Sequence, residues 1–280
     1  MRKLIVGVAA VAAVAGVGAT STVHGAPARG ANTTTTATTA AAVNAQGLTG
    51  VVVEAVRTDG VEEHTAAEAA TPGTATQPRR AGTPSSCADG AYTLSGYKVP
   101  ATMSFRYNRA GAPASVARYA TVAVGNSLRA VSTGANRCKL PATIKASGVY
   151  VGATTRTPQL NTSGACTGND GQNVIGWGAL PNGYLAITCI YFVAGKVINA
   201  DVMISKRYSW FLSRPVHCAN TFDLQSVLTH EQGHTFGLSH VDATAHGTET
   251  MSTLIGPCDI TKRALGRGDY AALARLYGNK

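Results

Sequence analysis

The 280-residue chain has a formal net charge of +10, is 45% hydrophobic and 14% charged, and contains six cysteines. That much apolar character excludes a chain disordered throughout, and the length suffices for one ordinary domain with extensions. The positive charge is scattered: residues 29–80 carry four basic and five acidic side chains, residues 81–280 eighteen and nine, with no basic run of five or more, so no nucleic-acid partner is expected.

In chain order, Met1-Arg2-Lys3, the apolar small-residue stretch Leu4 to Ala19 and Ala26-Pro27-Ala28 read as a signal peptide over residues 1–28. The run is too short and too weakly apolar for a membrane anchor. The protein is therefore expected to be secreted and extracellular, with no membrane association once the signal is removed. Residues 29–86 differ in composition from the remainder of the chain. They open with the low-complexity tract Asn32 to Thr39, contain a strand-like patch at Leu48 to Val56, and end in Thr71-Pro72-Gly73, Arg79-Arg80 and Gly82-Thr83-Pro84. This composition reads as a Thr/Ala-rich propeptide or linker, the former making the chain a zymogen. Residues 87–280 form the expected catalytic domain.

Within it, Met103 to Tyr107 alternates like a strand, and Ser115 to Val131 reads as a long helix with Ser115 as N-cap and Gly134 at its stop. Val149 to Val151, Asn173 to Leu180, Tyr184 to Val193 and Val197 to Ser205 are further strand candidates. Phe222 to Phe236 is a second helix that Asp223 can cap, and Asp269 to Tyr277 a third with Asp269 as N-cap. The order predicts an α+β domain.

The strongest signal is His230-Glu231-Gln232-Gly233-His234-Thr235-Phe236-Gly237-Leu238-Ser239-His240, of the form HExxHxxGxxH. Residues four apart share a helix face, so His230 and His234 can present imidazoles to one ion. Gly237 permits a bend that delivers His240 as third ligand. Three neutral histidines leave a fourth position for water, the arrangement of one catalytic zinc. Glu231 is placed to take a proton from that water and pass it to a leaving amine, which makes protein or peptide bonds the substrate. A chance match to the five fixed positions is on the order of one in 10⁵.

These residues resemble the metzincin zinc peptidases, and specifically secreted, bacterial-type matrixins. The resemblance assigns Met251, eleven positions after His240, to the family's Met-turn beneath the metal. It likens Gly268 to Gly278 to the closing helix, and Gly183-Tyr184-Leu185-Ala186 to the edge strand on which substrate lies, with Leu185 and Ala186 as substrate-binding residues. It implies a twisted, mostly parallel mixed sheet with an antiparallel edge strand at Tyr184 to Tyr191, packed against the long helix and the active-site helix. The segment after Met251, Ser252 to Pro257, departs from the aromatic-Pro pattern of matrixins. Few carboxylates and only His217 precede the motif in the domain, so a second zinc is not expected and calcium stays open. His246 and Asp242 fit a third-ligand position less well than His240. Arg267-Gly268-Asp269 spells an adhesion tripeptide but needs no partner at a helix start. A monomer is expected. A non-catalytic extracellular binding or adhesion protein keeping the fold is the alternative, and Glu231, which such a protein does not need, argues against it.

The cysteines (Cys87, Cys138, Cys166, Cys189, Cys218, Cys258) allow 15 pairings. Cys218–Cys258 is favoured because it closes a loop around all three ligands, Glu231 and the Met-turn. Cys166–Cys189 and Cys87–Cys138 are then the remaining pairs. Matrixin latency commonly uses a propeptide cysteine on zinc. Cys87 is the only candidate near the boundary, but its use would leave five cysteines.

Overall fold

Six of the strands join one main sheet, whose central strands are buried almost continuously, and the computed structural model describes residues 50–59 and 85–278 of the chain. The expected signal peptide, the Thr-rich tract and Arg79-Arg80 lie outside the described residues. In chain order the elements are β1 (Gly50–Arg57), β2 (Thr93–Leu94), β3 (Met103–Tyr107), α1 (Ala114–Ala117), α2 (Ala120–Thr133), β4 (Gly148–Ala153), β5 (Asn173–Gly178), β6 (Tyr184–Val193), β7 (Lys196–Ser205), β8 (Ser209–Phe211), β9 (Thr221–Asp223), α3 (Leu224–Thr235), β10 (Leu238–Ser239), α4 (Ala243–His246) and α5 (Arg267–Tyr277), with a 3-10 turn at Thr261–Arg263 before α5. The main sheet has the order β1-β6-β7-β5-β3-β4. The pairs β3–β4, β3–β5 and β5–β7 are parallel, whereas β6 is antiparallel to β7. This is the α+β, mostly parallel mixed sheet with an antiparallel side that the sequence suggested.

The strand patch at Leu48 to Val56 does form a strand, and it changes the edge. β1 pairs antiparallel along β6, so Tyr184–Val193 is not the edge of the sheet. Gly50–Arg57 carries valines on both of its faces, and both are used. Val52 and Val56 join the main core, while Val51, Val53 and Ala55 pack with Ile187, Cys189 and Tyr191 on the opposite side.

Three local expectations need correction. Ser115 to Val131 is not one helix: Pro113 starts the single turn α1, the backbone at Tyr119 (φ −124°, ψ 12°) interrupts, and α2 begins at Ala120 without a side-chain cap. Phe222 belongs to β9, so α3 starts after Asp223. Asp269 is not the cap of the last helix, which starts at Arg267; it lies in the first turn and accepts the Gly266 N–H at 2.8 Å. Gly134 closes α2 with φ 73°, at the position where the helix was expected to stop.

The main core lies between the sheet and the helices. Phe105, Ile175, Val202 and Ile204 from strands meet Val124 and Leu128 of α2, Leu224, Val227 and Leu228 of α3, and Leu273 of α5. Asp223 holds the start of α3: its carboxylate accepts the Ser226 N–H at 2.9 Å and the Ser226 hydroxyl at 2.7 Å, and receives Arg263 at 2.8 and 2.5 Å. The helix ends where the chain must reverse. Gly237 has φ +91°, and a Cβ there would stand 2.2 Å from the Tyr97 carbonyl oxygen, so both the backbone conformation and the space demand glycine. Three cysteine pairs stand at bonding distance: Cys87–Cys138, Cys166–Cys189 and Cys218–Cys258, with Cα separations of 5.2, 5.7 and 5.8 Å, within the usual range for bridges.

Two variants test this frame. Replacing Cys218 and Cys258 together by alanine removes a bridge with a sequence separation of 40 and lowers stability by about 4 kcal/mol on loop entropy, read as a fall in the urea midpoint. Gly237→Ala costs at least about 1–3 kcal/mol from the left-handed backbone alone, read from thermal unfolding of the metal-free protein; a midpoint equal to the parent's would contradict the steric account.

Candidate metal centre

α3 presents His230 and His234 one turn apart on its buried side, and both rings are fully buried. After Gly237 the chain runs through β10, which pairs with β2, and brings His240 back over the helix. The three Nε2 atoms converge: His230 to His234 is 2.9 Å, His234 to His240 is 3.0 Å, and His230 to His240 is 3.1 Å. They form the one cluster among the described residues able to hold a metal ion.

The outer nitrogens explain what the inner ones do. Nδ1 of His230 lies 2.8 Å from the Thr250 carbonyl oxygen, and Nδ1 of His234 lies 3.0 Å from that of Leu238. A carbonyl only accepts, so each Nδ1 carries the proton and each Nε2 is left as a lone pair. Burial, with the neighbouring imidazoles adding to it, holds both rings well below the usual histidine pKa and hence neutral. Buried lone pairs aimed at one point repel unless a cation stands between them. Nitrogens this close are all within reach of one ion at the roughly 2.0–2.1 Å of a zinc–imidazole bond. The donor set therefore fits a zinc-type ion.

Glu231 is buried beside the cluster. One carboxylate oxygen, Oε2, accepts from the Thr188 hydroxyl of β6, and Oε1 accepts the Val56 N–H of β1 at 3.2 Å. Burial pushes this carboxyl up to about 8, with the nearby Glu54 adding to the rise and the two hydrogen bonds opposing it. A cation close by favours the ionised form.

Beneath the cluster lies Met251, which is buried. A Cβ at Gly233 would stand 2.2 Å from its Sδ, so the helix comes down onto the methionine only because residue 233 lacks a side chain. Asp269 fixes the turn from below: it accepts Thr250 N–H at 2.7 Å and Met251 N–H at 3.2 Å, besides Gly266. Arg137 reaches the same turn through the Thr250 hydroxyl at 3.1 Å and the Thr248 carbonyl. The turn in turn supplies the Thr250 carbonyl that orients His230.

The structure thus brings together His230, His234, His240, Glu231 and Met251. The substrate-strand candidates Leu185 and Ala186 are both buried in β6. Ala186 pairs with Val56 on one side and Ile204 on the other, and Leu185 is skipped where the β1 register slips. The alternative ligands lie elsewhere: His246 pairs with Asp89 at 2.9 Å, and Asp242 caps α4. His217 is exposed. Cys87 is held with Cys138, which leaves it no role on the metal, and Asp269 of the Arg-Gly-Asp tripeptide is buried. Sequence reasoning missed Thr188, Arg137 and Glu54, and saw Asp269 only as a helix cap. The lone carboxylate inside the apolar run of Gly50–Arg57 was the one visible signal.

Residues 180–278 match the family model described as Matrixin. No curated protein matches the chain. Over those residues the chain is similar to matrixin, and the three-histidine cluster is consistent with a metzincin-like protein.

Proposed function

We propose that the protein is a secreted zinc endopeptidase. The observation that carries this reading is the convergence of neutral imidazole nitrogens, their tautomers fixed from behind, next to a buried carboxylate that is not itself a ligand. A binding module has no chemical need for Glu231. Zinc, when bound, supplies a Lewis acid for a peptide carbonyl and lowers the pKa of a coordinated water to about 7. Everything else falls to the chain. His230, His234 and His240 hold the ion, and the Thr250 and Leu238 carbonyls keep two of those rings in register. Glu231 takes the proton of the attacking water and returns it to the departing amine. Thr188 keeps one oxygen of that carboxylate occupied, so the proton is handled at the other, Oε1.

Export is supported by the signal-like first 28 residues and by six cysteines in three close pairs, since such bridges persist in oxidising compartments. Among the described residues no helix is long and apolar enough to cross a membrane. The stretch before Cys87 acts as a prosegment, and the substrates are proteins or peptides taken up by a monomer.

In the exported protein, Glu231→Ala should lower casein hydrolysis by at least about 10²–10⁴-fold while metal content stays at one equivalent. His234→Ala should lose both activity and metal. Near-normal turnover by Glu231→Ala would refute the mechanism. Removing metal with a chelator should abolish hydrolysis, and adding back zinc should restore it; activity indifferent to chelation would remove zinc from the reaction.

A further inference from the structure

β1 comes from the segment expected to precede the catalytic domain, yet it runs through the site. Its ladder with β6 extends from Gly50 opposite Phe192 to Val56 opposite Ala186. The register then slips, and Arg57 crosses to the segment after the Met-turn: its N–H donates to the Thr253 carbonyl at 3.1 Å, and its carbonyl accepts the Ile255 N–H at 3.3 Å. One extended strand therefore joins both banks of the groove above the histidines.

The alternation of a strand decides what it presents downward. Val52, Glu54 and Val56 share the face toward α3. The two valines merge into the main core. Glu54 places its carboxylate 3.7 Å from Nδ1 of His240 and 4.0 Å from Nδ1 of His234, with only 12% of its side chain exposed. An acidic group is costly at so buried a position unless positive charge or hydrogen bonds answer it. The histidine cluster, which is positive once it holds a metal ion, provides that charge. Two residues on, the Val56 N–H takes Oε1 of Glu231, the oxygen assigned to the proton. No second extended chain can pair with the β6 edge while β1 holds it.

We propose that Gly50–Arg57 is an intramolecular pseudosubstrate, a strand seated in the peptide-binding groove and anchored by Glu54 beside the ligand histidines. The proposal rests on the peptidase reading, and it gives the prosegment its means of inhibition. A carboxylate on an added β-strand does the blocking, and no cysteine takes part.

The test uses the full chain after signal removal, loaded with zinc, with Val56→Asp to expel the strand from the core and Glu54→Lys to reverse the anchor charge. Amide hydrogen exchange reads the docking directly. In the parent, amides of residues 51–56 should be protected; in both variants their exchange should rise at least about ten-fold, while those of α3 stay slow. Casein hydrolysis should rise by at least about ten-fold in the same variants, because the open form is no longer a minor population. Should Val56→Asp lose α3 protection, Glu54→Lys decides, since its side chain is not packed in the core. Equal exchange at residues 51–56 in the parent and the variants overturns the proposal, as does casein hydrolysis that is measurable but unchanged in a variant whose strand is released. Should no variant cut casein although the exchange difference holds, the docking is upheld and the peptidase reading is what falls.

Discussion

Imidazole lone pairs forced into one small buried space constrain everything around them. Imidazole nitrogens 2.9–3.1 Å apart repel without a cation, and the backbone holds two of the three rings from outside. His230 is tied to the Thr250 carbonyl and His234 to the Leu238 carbonyl. The first of these belongs to the turn under the helix and the second to the reversal that carries His240. The ligand geometry is thus inherited from two loops, and those loops need supports of their own.

The supports converge on the turn of Thr250 and Met251. Asp269, in the first turn of α5, accepts the N–H groups of Thr250 and Met251 and so makes the last helix a brace for the site. Arg137, from the segment after α2, meets the same turn. The sulfurs of Cys218 and Cys258 join the entrance of α3 to the chain beyond the turn. Buried polar groups of this sort are stable only as complete networks, which accounts for the low tolerance expected at Gly233 and Gly237, where the backbone of the site passes its neighbours without room for a side chain.

The groove is shaped by the same sheet that supports the helix. β6 offers one bank, with Thr188 holding Glu231 from that side, and the segment after Met251 offers the other. An extended chain laid between them satisfies the open backbone groups of the β6 edge, which is why a strand edge is a ready recognition surface. That the chain's own residues 50–57 fill this place links the β6 edge, Glu231 and the histidine cluster in one arrangement, Val56 reaching Glu231 and Glu54 lying beside His234 and His240.

The metal site was legible in the sequence because it is nearly local. At 3.6 residues per helical turn a spacing of four sets His230 over His234, Gly237 marks the reversal, Asp223 caps the helix, and His240 comes within a few residues, so spacing alone implies convergence. The strands of the sheet were legible for the same reason, since alternation, as in Met103–Tyr107, and continuous apolar runs, as in Tyr184–Val193, are properties of neighbours. The partnership of β1 with β6 was not, because the contact of Val56 with Glu231 spans 175 residues, and nothing in Gly50–Arg57 taken by itself distinguishes a strand that docks from one that does not. The break at Tyr119 and the role of Asp269 escaped for a related reason. The first depends on how α1 and α2 sit against the sheet, and the second on a turn some twenty residues away in sequence that folds back onto the helix. Residue types and short spacings determined which chemistry the chain carries. Long-range pairing, in which backbone hydrogen bonds and buried surface are matched only after the chain has folded, decided what supports that chemistry and what lies in its path.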